Sequence, residues 1–300
     1  MVTASTMVAI AVDGIAFGVF LALLGVGITL VFGLGEVLNL AIGTFAVMAV
    51  LVASWMISSG LGLVVASVIG VVVVAAIGLA ADRTLLSPAY RLQGEQRILL
   101  GIFTTLGLTV FLDGFLINGI NLAFLGGPRL IPAFPASYQL PLDLPTVSVG
   151  AAVLRGSSLI VIAVGAVLLA IMFLFLQRTF LGKATRTVFQ DEVGAQLVGV
   201  EPRRIRTLIF VLSVTVAAVA AIVWALGHQV SVSSGFQFTT FALIVSIVGG
   251  VRSLTGAIAA GLLLGLVNQF ANFFVGSYVA SVILFGAAIV FLLAKPEAIS

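Results

Sequence analysis

The chain has 300 residues, 62% of them hydrophobic and only 8% charged. Soluble domains run near 45–50% apolar with about a quarter of their residues charged, so lipid is the solvent for most of this chain, and neither a soluble enzyme nor a disordered chain fits. The net charge of +3 and pI near 9.8 read as topology signals rather than as a nucleic-acid footprint.

Cys is absent, which removes disulfides and thiolate chemistry, and the single His228 leaves no multi-histidine metal site. The apolar runs are continuous, unlike the alternation of a transmembrane β-barrel. Met1 to Asp13 carries no basic residue, so the charged start of a signal peptide is missing. A helix needs about 20 apolar residues to cross the hydrocarbon. Runs at 11–33, 38–58, 61–81, 98–120, 157–177, 207–227 and 278–294 are candidate spans. The stretch 237–270 is too long for one span and is interrupted at Gly249-Gly250 and again at Gly256, so it divides into 237–250 and 254–270. That makes nine crossings; a re-entrant element at the interruption would make eight. No Pro/Gly/Ser-rich linker divides the chain, and the expected fold is all-α: one polytopic transmembrane helical bundle over 1–300, with a glycine-broken span.

Three hydrophilic connections remain. Segment 82–97 holds Arg83, Arg91 and Arg97, and segment 178–206 holds Arg178, Lys183, Arg186, Arg203, Arg204 and Arg206. Segment 121–156 has only Arg129 and Arg155 but five prolines, Pro128, Pro132, Pro135, Pro141 and Pro145. The positive-inside rule puts the two Arg-rich segments in the cytoplasm and 121–156 outside. Counting spans then places the N-terminus outside and Lys295 inside. The prolines fit either an ordered external cap or a plain surface loop.

Within 178–206, Phe189, Val193, Leu197 and Val200 recur at spacings of four, four and three, which predicts one face of a short helix over 187–200. Asp191 and Glu192 would occupy its first turn, Gly199 its C-terminal stop, with Pro202 beyond. Its apolar face has three possible destinations: the lipid surface, this protein's own loops, or a groove on a partner.

Two stretches, 25–43 and 248–265, are rich in glycine. Unwound backbone at membrane depth is tolerated where protein buries it or where it lines a water-filled cavity, and broken helices often border a transport path. Small residues such as Gly261-x-x-x-Gly265 equally serve close helix packing. Similarity between the two stretches points weakly to an internal repeat. Of the ionisable groups in or near spans, Asp13 and Arg252 fall at span ends and Asp113 falls inside one. Intramembrane charge is a functional pointer by default, yet a lone carboxylate is too little for an ion-coupled pump. No P-loop is present: Gly182-Lys183 is followed by Ala184, with Gln177 where the first glycine belongs.

Three motif regions give the chain a resemblance to the membrane permeases of branched-chain amino acid ABC importers, a family that also handles urea and short amides. They are Gly27-x-Thr29-Leu30-Val31-Phe32-Gly33 with Val37-Leu38-Asn39-Leu40-Ala41-x-Gly43; Gly182-x-x-x-Arg186 with Gln190-Asp191, Ala195, Gly199 and Phe210; and Gly249-Gly250 with Ser253-Leu254-x-Gly256. A weaker fourth joins Thr105-Leu106-Gly107-Leu108 to Gly126-Gly127-Pro128. Three positions depart from the family pattern: Ile42 where a His is usual, Thr44 where an acidic or polar residue follows the glycine, and Arg252 where a small residue is common.

The resemblance implies a non-enzymatic permease with no cofactor of its own, in the cell membrane. It would pair with a second homologous permease, two cytoplasmic ATPase subunits that bind the ATP, and an extracytoplasmic substrate-binding protein. It further implies an ATPase-coupling role for Gly182, Arg186, Phe189, Asp191, Glu192, Val193, Leu197 and Gly199, and a translocation path near Thr29, Asn39, Gly43, Thr44, Gly249 and Gly250. The alternatives are a stand-alone carrier or channel for a small polar solute, and a sugar permease of the same superfamily.

Overall fold

A computed structural model describes residues 3–35, 37–92, 94–121, 129–131, 134, 137–142, 144–150 and 152–294. Each of the nine expected spans is a helix: α1 (Ala4–Gly35), α2 (Ile42–Ser58), α3 (Leu63–Ala81), α4 (Glu95–Asn118), α5 (Gly156–Arg178), α8 (Pro202–Trp224), α9 (Ser234–Gly249), α10 (Leu254–Val275) and α11 (Ser277–Ala294). Two short helices, α6 (Phe180–Gln190) and α7 (Glu192–Leu197), lie between α5 and α8. Six of these helices are long and apolar enough to cross a membrane, while α2, α9 and the described part of α11 are shorter. The protein is a multi-pass helical bundle.

Burial separates the central helices from the outer ones. Residues 16–31 of α1 are buried without interruption, and so are Ile42 to Ser54 of α2. A helix that is apolar all round belongs inside. By contrast α3 exposes Val64, Val68 and Val72, and α4 exposes Phe103, Val110 and Phe111. The 17 residues of α2 rise only about 26 Å, short of the ~30 Å hydrocarbon thickness. The chain before it, 37–41, is not helical and lies within the bundle, with Val37, Asn39 and Ala41 fully buried.

α1 and α10 cross through small residues. A Cβ on Gly18 would stand 2.8 Å from the Leu262 Cα, and one on Gly261 would stand 2.6 Å from the Ala22 Cα. Gly265 in turn lies against Gly18, leaving no room for a side chain. The Gly261-x-x-x-Gly265 spacing is thus met on α1 by Gly14, Gly18 and Ala22, and backbones approach where lipid offers no hydrophobic drive. The glycine break falls where the sequence places it. Gly250, at φ +87°, ends α9, and the Ser253 hydroxyl accepts from the Gly256 amide to cap α10.

The connections cluster at two ends. At one end Arg203 donates to the Ser87 hydroxyl (3.0 Å), so segments 82–97 and 178–206 meet, as their shared charge implies. At the other end the described parts of 121–156 form short antiparallel pairs: β1 (Ile120–Asn121) with β2 (Arg129–Ile131), and β4 (Val147–Val149) with β5 (Ala152–Leu154). β3 (Ser137–Tyr138) pairs with β6 (Val230–Ser231) from the α8–α9 connection. Leu140 donates to the Ala225 carbonyl, and the Phe134 ring packs on Trp55 and Phe115. These are the contacts of an ordered cap. Pro128, Pro132 and Pro135, the motif Gly126-Gly127-Pro128 and Lys295 lie outside the described residues.

Candidate functional site: an unwound segment and a coupling corner

Backbone that leaves helical geometry inside a bundle must find partners for its N–H and C=O groups. Segment 37–41 finds them in threonine hydroxyls. Thr105 of α4 donates to the Leu38 carbonyl (2.9 Å) and accepts from the Leu40 amide (3.2 Å). Thr109, one turn on, donates to the Leu40 carbonyl (3.1 Å). From α9, Thr239 reaches the same carbonyl (3.1 Å) and accepts from the Gly43 amide (3.0 Å). The Asn39 side chain closes the turn by accepting from Ala41 N through its Oδ1 (3.1 Å). Gly43 has no room for a Cβ, which would strike the Gly235 carbonyl and stand 2.6 Å from the Thr239 amide.

Three buried polar atoms here are left without a hydrogen bond: Asn39 Nδ2, Thr44 Oγ1 and Asp113 Oδ1. Asn39 and Thr44 are fully buried. Asp113 continues the Thr105–Thr109 row of α4 at the same four-residue spacing and faces Thr44.

The residues expected along a path therefore divide. Asn39, Gly43 and Thr44 come together at this segment. Thr29 instead shares a hydroxyl–hydroxyl bond with Ser246 of α9 (2.8 Å), and Gly249 and Gly250 form the α9–α10 turn. Gly249 is as crowded as Gly43: its Cβ would stand 2.5 Å from the Ala257 Cα.

The second region is the corner made by 178–206. Thr179 caps α6 by accepting from Gly182 N (3.0 Å), and Gly182 presses on the last turn of α5 too closely for a side chain. The single helix expected over 187–200 is instead two. Asp191 is extended (φ −154°, ψ 105°), and its Oδ1 accepts from Val193 N (3.0 Å), capping α7. A short acidic side chain that can bind the backbone two residues on competes with helix continuation. The break turns Phe189 away from Val193 and Leu197. Phe189 packs against Gly33 of α1, beneath the Arg252 guanidinium at 6.0 Å from its ring centroid. Val193, Leu197 and Val198 are exposed, by 67%, 84% and 72%. Gly199, at φ +82°, ends α7, and the Val200 amide closes back on the Ala195 carbonyl (2.9 Å). This is a Schellman closure, and Pro202 then begins α8.

Glu192 anchors this corner. Its carboxylate binds Arg206 of α8 and approaches Arg97 of α4 at 3.8 Å. The Arg206 guanidinium stacks over Tyr90 (5.3 Å), whose hydroxyl donates to Asp82 (3.0 Å), as does Thr207 (2.6 Å). Burial, then the Asp82 charge, push the Tyr90 hydroxyl well above its ordinary value, so it stays a donor. Charge counting treats Arg97 and Arg206 as loop markers; the structure buries both. A cavity of about 510 Å³ lies beside Glu192, between Tyr90, Gln196 and Arg203. A second, about 400 Å³, brings together Thr29, Arg186, Phe189, Arg252 and Ser253.

Comparison with known proteins agrees with this architecture. Residues 10–293 match the family described as branched-chain amino acid transport system / permease component. The high-affinity branched-chain amino acid transport system permease protein BraD of Pseudomonas aeruginosa is 28% identical over 298 residues, covering 96% of this chain and 94% of BraD. LivH of Escherichia coli, a permease protein of the same description, is 26% identical and covers 96% of this chain and 93% of LivH. LivM of Escherichia coli is 27% identical, covering 81% of this chain and 59% of LivM. With helices, breaks and caps falling where the motifs lie, and a family match from the first helix to the last, the chain belongs to the branched-chain amino acid transport permease family.

Proposed function

We propose that the chain is the membrane-spanning permease subunit of an ATP-driven, binding-protein-dependent importer for branched-chain or other small amino acids. The observation that carries the coupling part of this reading is α7: a six-residue helix that exposes Val193, Leu197 and Val198 and is tied by Glu192 to two membrane helices. An exposed apolar knob at the Arg-rich end of a bundle fits a groove on a cytoplasmic ATPase. Two such ATPases would each receive one permease. Similarity to both LivH and LivM supports a pair of homologous permeases around the path. The end capped by 121–156 would receive the substrate-binding protein, with the N-terminus outside and the C-terminus in the cytoplasm, as the positive-inside rule gives.

The test is reconstitution. The purified chain should hydrolyse no ATP alone, and should co-purify with a partner ATPase. Proteoliposomes holding the assembled importer should take up amino acid only with ATP and binding protein. Uptake by this chain alone, driven by an ion gradient, would overturn the reading in favour of a secondary carrier.

A further inference from the structure

Thr105, Thr109 and Asp113 form a polar row along one face of α4. The first two share their hydroxyls between the carbonyls of Leu38 and Leu40 and those one turn back on α4. Asp113 has no such duty. It faces Thr44, in the first turn of α2, closely enough for the hydroxyl to lean on the carboxylate, yet neither Asp113 Oδ1 nor Thr44 Oγ1 reaches full hydrogen-bond geometry. Among the described residues no salt bridge compensates the carboxylate.

Asp113 is also half-buried, at the edge of the α4 face that exposes Val110 and Ile117. A carboxylate within a span is costly against lipid and is found facing the bundle interior, a partner or a water-filled cavity. That edge of α4 therefore fronts water or protein. Next to it Gly114 has open space where its Cβ would be. Two acceptors on neighbouring helices that keep spare lone pairs, one anionic and one a buried hydroxyl, suit a group with several N–H donors and a positive charge. An ammonium group has three such donors.

We infer that Asp113 and Thr44 form an acceptor site on the water-filled path and take the ammonium group of the amino acid in transit. This rests on the importer reading above.

The chain has no Cys, so single cysteines report directly. In the assembled importer, Gly114→Cys should react with a charged methanethiosulfonate reagent at least tenfold faster than Val72→Cys on the exposed face of α3, and saturating amino acid delivered by the binding protein should slow it. Asp113→Asn should lower amino acid imported per ATP hydrolysed at least tenfold, with Asp113→Glu recovering part of the loss. Thr44→Val, which keeps the shape and removes the acceptor, should lower the same ratio, and Thr44→Ser should restore it; this pair carries the test if Asp113→Asn fails to assemble. Equal labelling of the two cysteines, or wild-type import per ATP in both Asp113→Asn and Thr44→Val, would overturn the site. A wild-type importer that moves no amino acid would instead overturn the function on which it rests.

Discussion

Thr105→Val would keep the volume of the side chain but strand the Leu38 carbonyl and the Leu40 amide inside the bundle. Leaving buried backbone groups unmatched costs about 1–3 kcal/mol each, so the thermal midpoint in detergent should fall, and Thr105→Ser should recover most of it. Hydropathy cannot reveal this role, because Thr105, Thr109 and Thr239 read as ordinary small residues within apolar spans. Only the spacing from Thr105 to Asp113 carries a trace, a four-residue row on one helix face. His228 makes a second residue-scale prediction. It lies in the α8–α9 connection, stacked on Trp224 at 3.6 Å between centroids, and burial pushes its pKa below 6.5, partly offset by a bond to the Trp224 carbonyl. Below the unfolded pKa of about 6.5 the unfolded chain binds more protons than the folded one, so stability is lost as pH falls through that region and is full above it. Thermal midpoints from about pH 5 to about pH 8 should show this slope, and His228→Gln should flatten it.

At the scale of elements, α7 makes the sharpest prediction. Val193→Glu or Leu197→Glu places charge on a surface already exposed, so the bundle should fold normally. ATPase docking should weaken and transport per ATP hydrolysed should fall severalfold; unchanged docking and transport would remove α7 as the coupling element. The end of α7, the start of α8 and the α9–α10 turn were readable because their signals are local: Gly199 at a positive φ, Pro202, and Gly250 at a positive φ. The break at Asp191 was not readable. The apolar spacing of Phe189, Val193 and Leu197 favours one helix, whereas the outcome turns on one carboxylate that binds Val193 N. Which spans sit at the centre was equally hidden. α1 is apolar on every face, so periodicity gives it no inward side, and its central place follows from glycines that meet α10. The anchoring of α7 was hidden as well, since pairing between Glu192, Arg97 and Arg206 joins positions far apart in sequence.

At the scale of the whole molecule, the α1–α10 crossing joins the two ends of the chain. Gly18→Leu would force a branched side chain into the Leu262 backbone. No rotamer avoids the contact, so the two helices must separate. The fraction of protein recovered as a monodisperse species from the membrane should drop sharply, whereas Gly107→Leu, on the open side of α4, should leave the yield near wild type. The unwound segment ahead of α2 has a consequence for synthesis. The Leu40 carbonyl accepts from Thr239 and the Gly43 amide donates to it, although Thr239 lies about two hundred positions later in the chain (|i−j| of 199 and 196). At ribosomal rates of about 5–20 residues per second, roughly 10–40 s pass between the emergence of these partners. Through that interval the segment waits in the bilayer with part of its hydrogen bonding unmet, and a nascent chain halted before Ser234 would present quality-control proteases with the first three quarters of the protein and an unfinished interior.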